Sequence, residues 1–199
     1  MPEFNEPPII QRAKVEDKQR LIQTITLAFA TDPLVRFASP KADRYLDIFS
    51  KIHTHFGGRA FDYGTAWTAN DGQAVALWLK PGVEPDSDAM KDLLPLAIPE
   101  NRMEDMVGVF EGMASYHPHD EHWYLPLIGA DPAYLGLGLG SALMKHACLE
   151  IDKTGLPAYL ESSNPRNISL YERHGFEVMG EILSGAAPVV TPMFRPATT

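Results

Sequence analysis

The chain has 199 residues, 45% hydrophobic and 22% charged, enough for one domain with a sizeable core and too apolar for a disordered chain. Its formal net charge of −9 argues against nucleic acid and anionic membrane as partners. With Cys148 as the lone cysteine, no membrane-length apolar run and no apolar signal-peptide core, the expected setting is a reduced cytoplasm without disulfide or thiol-held metal.

In chain order, "PIIQRA" (8–13) predicts a short strand. Over residues 14–33, Leu21, Ile22, Ile25, Ala28 and Phe29 share one helical face, with Glu16 and Asp17 in the first turn and Thr31-Asp32-Pro33 as the stop. Tyr45, Ile48, Phe49, Ile52 and Phe56 mark a second amphipathic helix, ended by Gly57-Gly58. Residues 62–82 read as a hairpin around Asn70-Asp71-Gly72. Residues 88–117 read as helical, broken near Pro95 and Pro99; Met90, Met103, Met106 and Met113 are taken as core residues there. A buried strand is expected over 122–132. Leu139, Leu143, Ala147 and Ile151 then recur every fourth residue, predicting a helix. Strand 157–163, short helix 165–175, strand 176–184 and strand 188–196 complete an α/β layer.

The stretch "AYLGLGLGSALM" (133–144) carries Gly136, Gly138 and Gly140 between a strand and a helix. Such a loop exposes backbone N–H groups to an anion, or serves as a tight turn that needs glycine for packing. It is not the phosphate loop that ends in Gly-Lys-Ser/Thr, because it ends in Gly140-Ser141. A dinucleotide fingerprint needs a sixth-position glycine where Ser141 stands. The second half of the chain holds 12 acidic and 6 basic side chains, so an anion there must be held by backbone dipoles rather than bulk charge.

Farther on, "LESSNPRNISLYERHGFEV" places Asn164 seven residues before Tyr171, with Gly175-Phe176 following. Loop and segment together resemble the GNAT superfamily of N-acetyltransferases. That family's Arg/Gln-x-x-Gly-x-Gly/Ala loop is matched at Leu135, Gly138 and Gly140, and its downstream segment at Asn164, Tyr171, Gly175 and Phe176. The similarity spans residues 8–195, read as a single domain, with 122–180 carrying the motifs. "AVALW", "HWYL" and "GLGSAL" resemble the puromycin N-acetyltransferase-like subgroup in particular. The resemblance implies a GNAT fold: a mixed central β-sheet flanked by helices, with a glycine-rich strand-loop-helix site for acetyl-CoA.

It also implies roles. The N–H groups of Gly136, Leu137, Gly138, Leu139, Gly140 and Ser141 would meet the pyrophosphate, and the backbone at Ile128 and Ala130 would pair with the pantetheine arm. Asn164 is then a cofactor-side hydrogen-bonding residue, its alternative being a turn cap. Tyr171 is the implied general acid toward the departing thiolate, its alternative a packed core aromatic. For the base, His122, Glu161 and a water chain stay open. His117, His119 and His122 also invite a metal, but they lie in a loop without helical ligand spacing, so no metal is expected. The expected activity is acetyl transfer from acetyl-CoA to the amine of a small molecule by direct attack on the thioester. A non-catalytic acyl-CoA sensor and a protein or peptide acceptor are the alternatives, and a homodimer is left open.

Overall fold

The computed structural model describes residues 6–198. β1 (Ile10–Arg12) pairs with β2 (Ala66–Ala69), which forms the expected hairpin with β3 (Ala74–Leu79). Asn70 and Asp71 turn that hairpin with φ of 46° and 54°, values that Asn and Asp tolerate better than other non-glycine residues. β4 (Trp123–Ala130), β5 (Ala158–Ser162), β6 (Glu177–Val178) and β7 (Thr191–Arg195) complete a seven-stranded sheet of order β1-β2-β3-β4-β5-β7-β6. Only β4 and β5 run parallel.

Helices cover both faces. α1 (Lys18–Ala28) buries Leu21, Ile22 and Ile25 against Val75, Leu77 and Leu127. Gly129 permits its close approach, because a Cβ there would stand 2.4 Å from that of Ala28. On the other face, α7 (Leu139–Asp152) buries its predicted stripe, Leu139, Leu143, Ala147 and Ile151, against Trp78, Leu125 and Leu160. α2 (Pro33–Ala38), α3 (Ala42–Gly57), α5 (Ser87–Ala97) and α6 (Glu100–Tyr116) build a third cluster around Tyr45, Phe49, Ile52 and Met106. α4 (Arg59–Asp62) and α8 (Ile168–Glu172) are short.

Four boundaries differ from the sequence reading. The first helix stops at Ala28, and Asp32-Pro33 begins α2 rather than only ending α1. Asp at the N-cap with Pro at the first helical position is a start signal, and Asp32 Oδ1 accepts from the Val35 N–H at 3.0 Å. Gly57-Gly58 leads directly into α4. Pro95 lies inside α5, and the break falls at Ile98, held extended before Pro99. The strand expected over 176–184 is reduced to Glu177–Val178 and a bridge between Ile182 and Val190; Tyr116 of α6 crowds the backbone between them, at Gly180.

The central feature is a parting of strands. β4 and β5 pair from Trp123↔Ala158 to Leu125↔Leu160 and no farther. Next in β4 comes Pro126, which has no N–H to donate. β4 also takes an extra residue against β3 here, the register passing from Leu79↔Tyr124 to Leu77↔Leu127. From this bulge to Ala130, β4 stays paired with β3 on one side and leaves its other edge without a strand partner.

Candidate active site

The glycine loop leads from β4 into α7. Gly136 and Gly138 adopt φ of 78° and 75°, and a Cβ at either would meet nothing within 4 Å. Their glycines therefore answer a conformational demand, and the space above them is open. Gly138 is the α7 N-cap and no side chain caps the helix. Since the first turn of a helix has no internal acceptors, the N–H groups of Leu139, Gly140 and Ser141 face outward with the positive end of the helix dipole.

A cleft of about 350 Å³ runs between this loop and the free edge of β4, lined by Ile128, Ala130, Gly136, Gly138, Gly140 and Asn164 among others. An uncapped helix terminus at one end and an unpaired strand edge along the side suit an extended ligand with an anionic end. The implied cofactor residues divide into two groups. Leu135 and Leu139 also line the cleft, the former 65% exposed, whereas Leu137 packs toward the α7 core and lines neither cavity. The Ser141 hydroxyl is engaged with His174 Nε2 at 3.0 Å, away from the lining. Asn164 does both things weighed for it: it borders the cleft, and its Oδ1 accepts from the Arg166 N–H at 3.1 Å.

Behind the cleft lies a second cavity of about 420 Å³, under α2, α3, α5 and α6. Its walls include Phe49, Ile52, Phe56 and Phe110. Met106 is buried in the third core cluster with Met103 packed against it, as expected, but Met90, Met106 and Met113 also line this cavity, so the core reading holds for only part of the set. The two cavities share Phe29, Asp32, Ile128, Asn167 and Tyr171, so they meet at these residues.

Tyr171 stands at that junction. Its ring is buried beside Phe176, and it borders both cavities. Burial raises its pKa above the ordinary phenol value, and the Asp32 charge adds to this, so the proton stays on the oxygen.

Asp32 was not singled out from the sequence. It is 6% exposed, and its Oδ2 accepts from Ser163 Oγ at 2.7 Å across 131 residues of chain. Burial raises its pKa, an effect reduced by the Ser163 hydroxyl and by backbone N–H groups of α2. The only sequence signal was "TDP", which reads as a helix stop.

Glu161 lines the inner cavity, and its Oε1 lies 3.8 Å from His117 Nδ1. His117 Nε2 and His122 Nε2 are 3.1 Å apart, and His122 Nδ1 lies 2.7 Å from the Asp120 carbonyl. That carbonyl can only accept, so His122 Nδ1 carries a proton; a neutral His122 then accepts from His117 through Nε2. Burial lowers the His122 pKa. His122 itself lines neither cavity and reaches Glu161 only through His117. Among the described residues no group of three or more His, Cys, Asp or Glu side chains is placed to hold a metal ion.

Residues 67–176 match the family model described as the acetyltransferase (GNAT) family. Among solved structures, the chain is similar to the "histone acetyltransferase HPA2 and related acetyltransferase" of Corynebacterium glutamicum, at 23% identity and a TM-score of 0.73, covering 98% of each chain. It is also similar to the polyamine N-acetyltransferase of Drosophila melanogaster that forms N-acetylagmatine, at 14% identity and a TM-score of 0.64, covering 94% of this chain and 98% of that one. Arylalkylamine N-acetyltransferase 2 of Aedes aegypti matches at 12% identity and a TM-score of 0.62, covering 97% of this chain and 100% of that one.

Proposed function

The chain belongs to the acetyltransferase (GNAT) family, and from that premise we propose that it transfers an acetyl group from acetyl-CoA to the amine of a small molecule by direct attack on the thioester. The observation that carries this reading is the meeting of two cavities, one walled by backbone donors and one by apolar side chains, at Tyr171 and Asp32. The similar proteins of fly and mosquito, a polyamine and an arylalkylamine N-acetyltransferase, support a small-amine acceptor.

Acetyl-CoA, when bound, supplies the activated acyl group. Gly136, Gly138 and the first N–H groups of α7 hold the anionic end, and the free β4 edge from Ile128 to Ala130 lines up the extended arm. Asp32 attracts the ammonium form of the acceptor and takes its proton, burial having raised its pKa above the ordinary carboxylate value and so made it a stronger base. Glu161 is the second carboxylate on the acceptor side, with His117 and His122 leading from it toward solvent. Tyr171, kept protonated, donates to the sulfur as it leaves. Cys148 is buried on the core face of α7, lines neither cavity, and has its thiol pushed up to about 11 by burial, which supports direct transfer without an acyl-cysteine.

Calorimetric titration with acetyl-CoA followed by thiol-release assays across a panel of amines tests the reading. Binding with amine-dependent release is expected. Binding without release for any amine identifies a non-catalytic acyl-CoA sensor instead.

A further inference from the structure

Among the polar groups that line the inner cavity and that the proposed transfer does not use, one is a buried imidazole. His53, on α3, is 2% exposed and lines the chamber between the rings of Phe29 and Phe49, at centroid distances of 5.4 and 5.6 Å. Its Nδ1 lies 3.1 Å from Thr26 Oγ1. The Thr26 hydroxyl donates its own proton to the Ile22 carbonyl at 2.9 Å, so toward His53 it can only accept. Nδ1 therefore carries the ring proton, and Nε2 is left with a lone pair and no partner among the described residues. His53 lines the chamber, so Nε2 is an acceptor that a ligand or water there can meet with a donor.

We infer that His53 Nε2 reads a hydrogen-bond donor on the apolar body of the acceptor, so that the enzyme selects a monoamine whose aromatic or aliphatic body carries a hydroxyl or ring N–H. The inference rests on the chamber being the acceptor side of the proposed transfer. Three further features point the same way. Phe29 and Phe49 flank His53, and Ile52 and Phe56 line the same chamber, an apolar surround that suits a ring at the imidazole rather than an ammonium. Phe29, one ring from His53, also borders the junction where Asp32 stands, so one end of a small amine can be at the carboxylate while its body lies against the imidazole. Burial holds the His53 pKa down to about 3, so the ring stays a neutral acceptor across the working range of pH.

The test titrates the full chain, with CoA bound, with 2-phenylethylamine, its 3-hydroxy, 4-hydroxy and 4-methoxy derivatives, tryptamine and spermidine. At least one hydroxylated or indole amine is expected to bind about tenfold more tightly than 2-phenylethylamine, one hydrogen bond's worth. The methoxy derivative, which has no donor, gains nothing. His53→Phe brings the ratio to about one, and Thr26→Val, which releases the tautomer, lowers it about threefold. The second variant and the methoxy control keep the test decisive if His53→Phe misfolds. Equal binding of all the ring amines, a ratio that survives His53→Phe, or tighter binding of spermidine than of every monoamine overturns the inference. Thiol release from acetyl-CoA, measured in parallel, separates the two claims: release with spermidine alone overturns His53 selectivity and leaves the transferase reading, whereas selectivity without release does the reverse.

Discussion

The cleft at the α7 end takes part of its wall from the glycine loop and the free edge of β4, whereas the chamber behind it draws much of its wall from side chains of α2, α3, α5 and α6. A backbone wall requires a few glycines at fixed spacing and tolerates almost any neighbour, so Leu135 and Leu137 are compatible with the proposed anion-holding loop. A side-chain wall has no fixed spacing, because its members come from helices that meet only in three dimensions. On the proposed reading, the common donor falls on the first wall and the choice of acceptor on the second. Tyr171 and Asp32 sit where the two join.

The largest expected effects are at that joint. Asp32→Asn preserves size and the α2 cap while removing the base, and should lower kcat/KM about 100- to 10,000-fold in steady-state assays. The same variant tests the pH profile. The base must be ionised to act and its pKa is raised in the fold, so the wild-type rate should climb with pH through a value above the ordinary carboxylate range. Asp32→Asn should abolish that limb; an unchanged limb assigns it to another group.

Tyr171→Phe removes the proton donor and leaves the buried ring, so kcat should fall about 100-fold while the Kd for acetyl-CoA changes little. Wild-type turnover in that variant would take Tyr171 out of the chemistry. The comparison then moves to the backbone wall. Gly138→Ala meets no clash but must adopt φ of 75°, which costs about 1–2 kcal/mol. Thermal unfolding should show a Tm lower by roughly 2–6 °C, with weaker acetyl-CoA binding. Smallest of all is Leu135→Gln: the side chain is exposed at the cleft rim, so an added amide should tighten acetyl-CoA about twofold by calorimetry. Weaker binding there would mean that the leucine packs on the ligand.

Much of the sheet and of the loop that follows it was legible in advance. The α7 stripe from Leu139 to Ile151 has helical period, Asn70-Asp71-Gly72 has one hairpin solution, and Gly136 and Gly138 have few conformational uses. α2 escaped because Asp32-Pro33 starts one helix in the same letters that stop another. The cavity beside the α5 and α6 methionines is not legible, because an apolar residue looks alike whether it meets a neighbour or a cavity.

Local sequence by itself determined the loop, its helix and the tyrosine behind them, since each depends on backbone conformation or on contacts a few residues away. Tertiary structure alone decided that Asp32 meets Ser163, that β4 and β5 part at Pro126, and that His53 keeps a nitrogen free inside an apolar chamber. Those facts depend on contacts between segments tens of residues apart, and no periodicity along the chain records which distant segment will arrive.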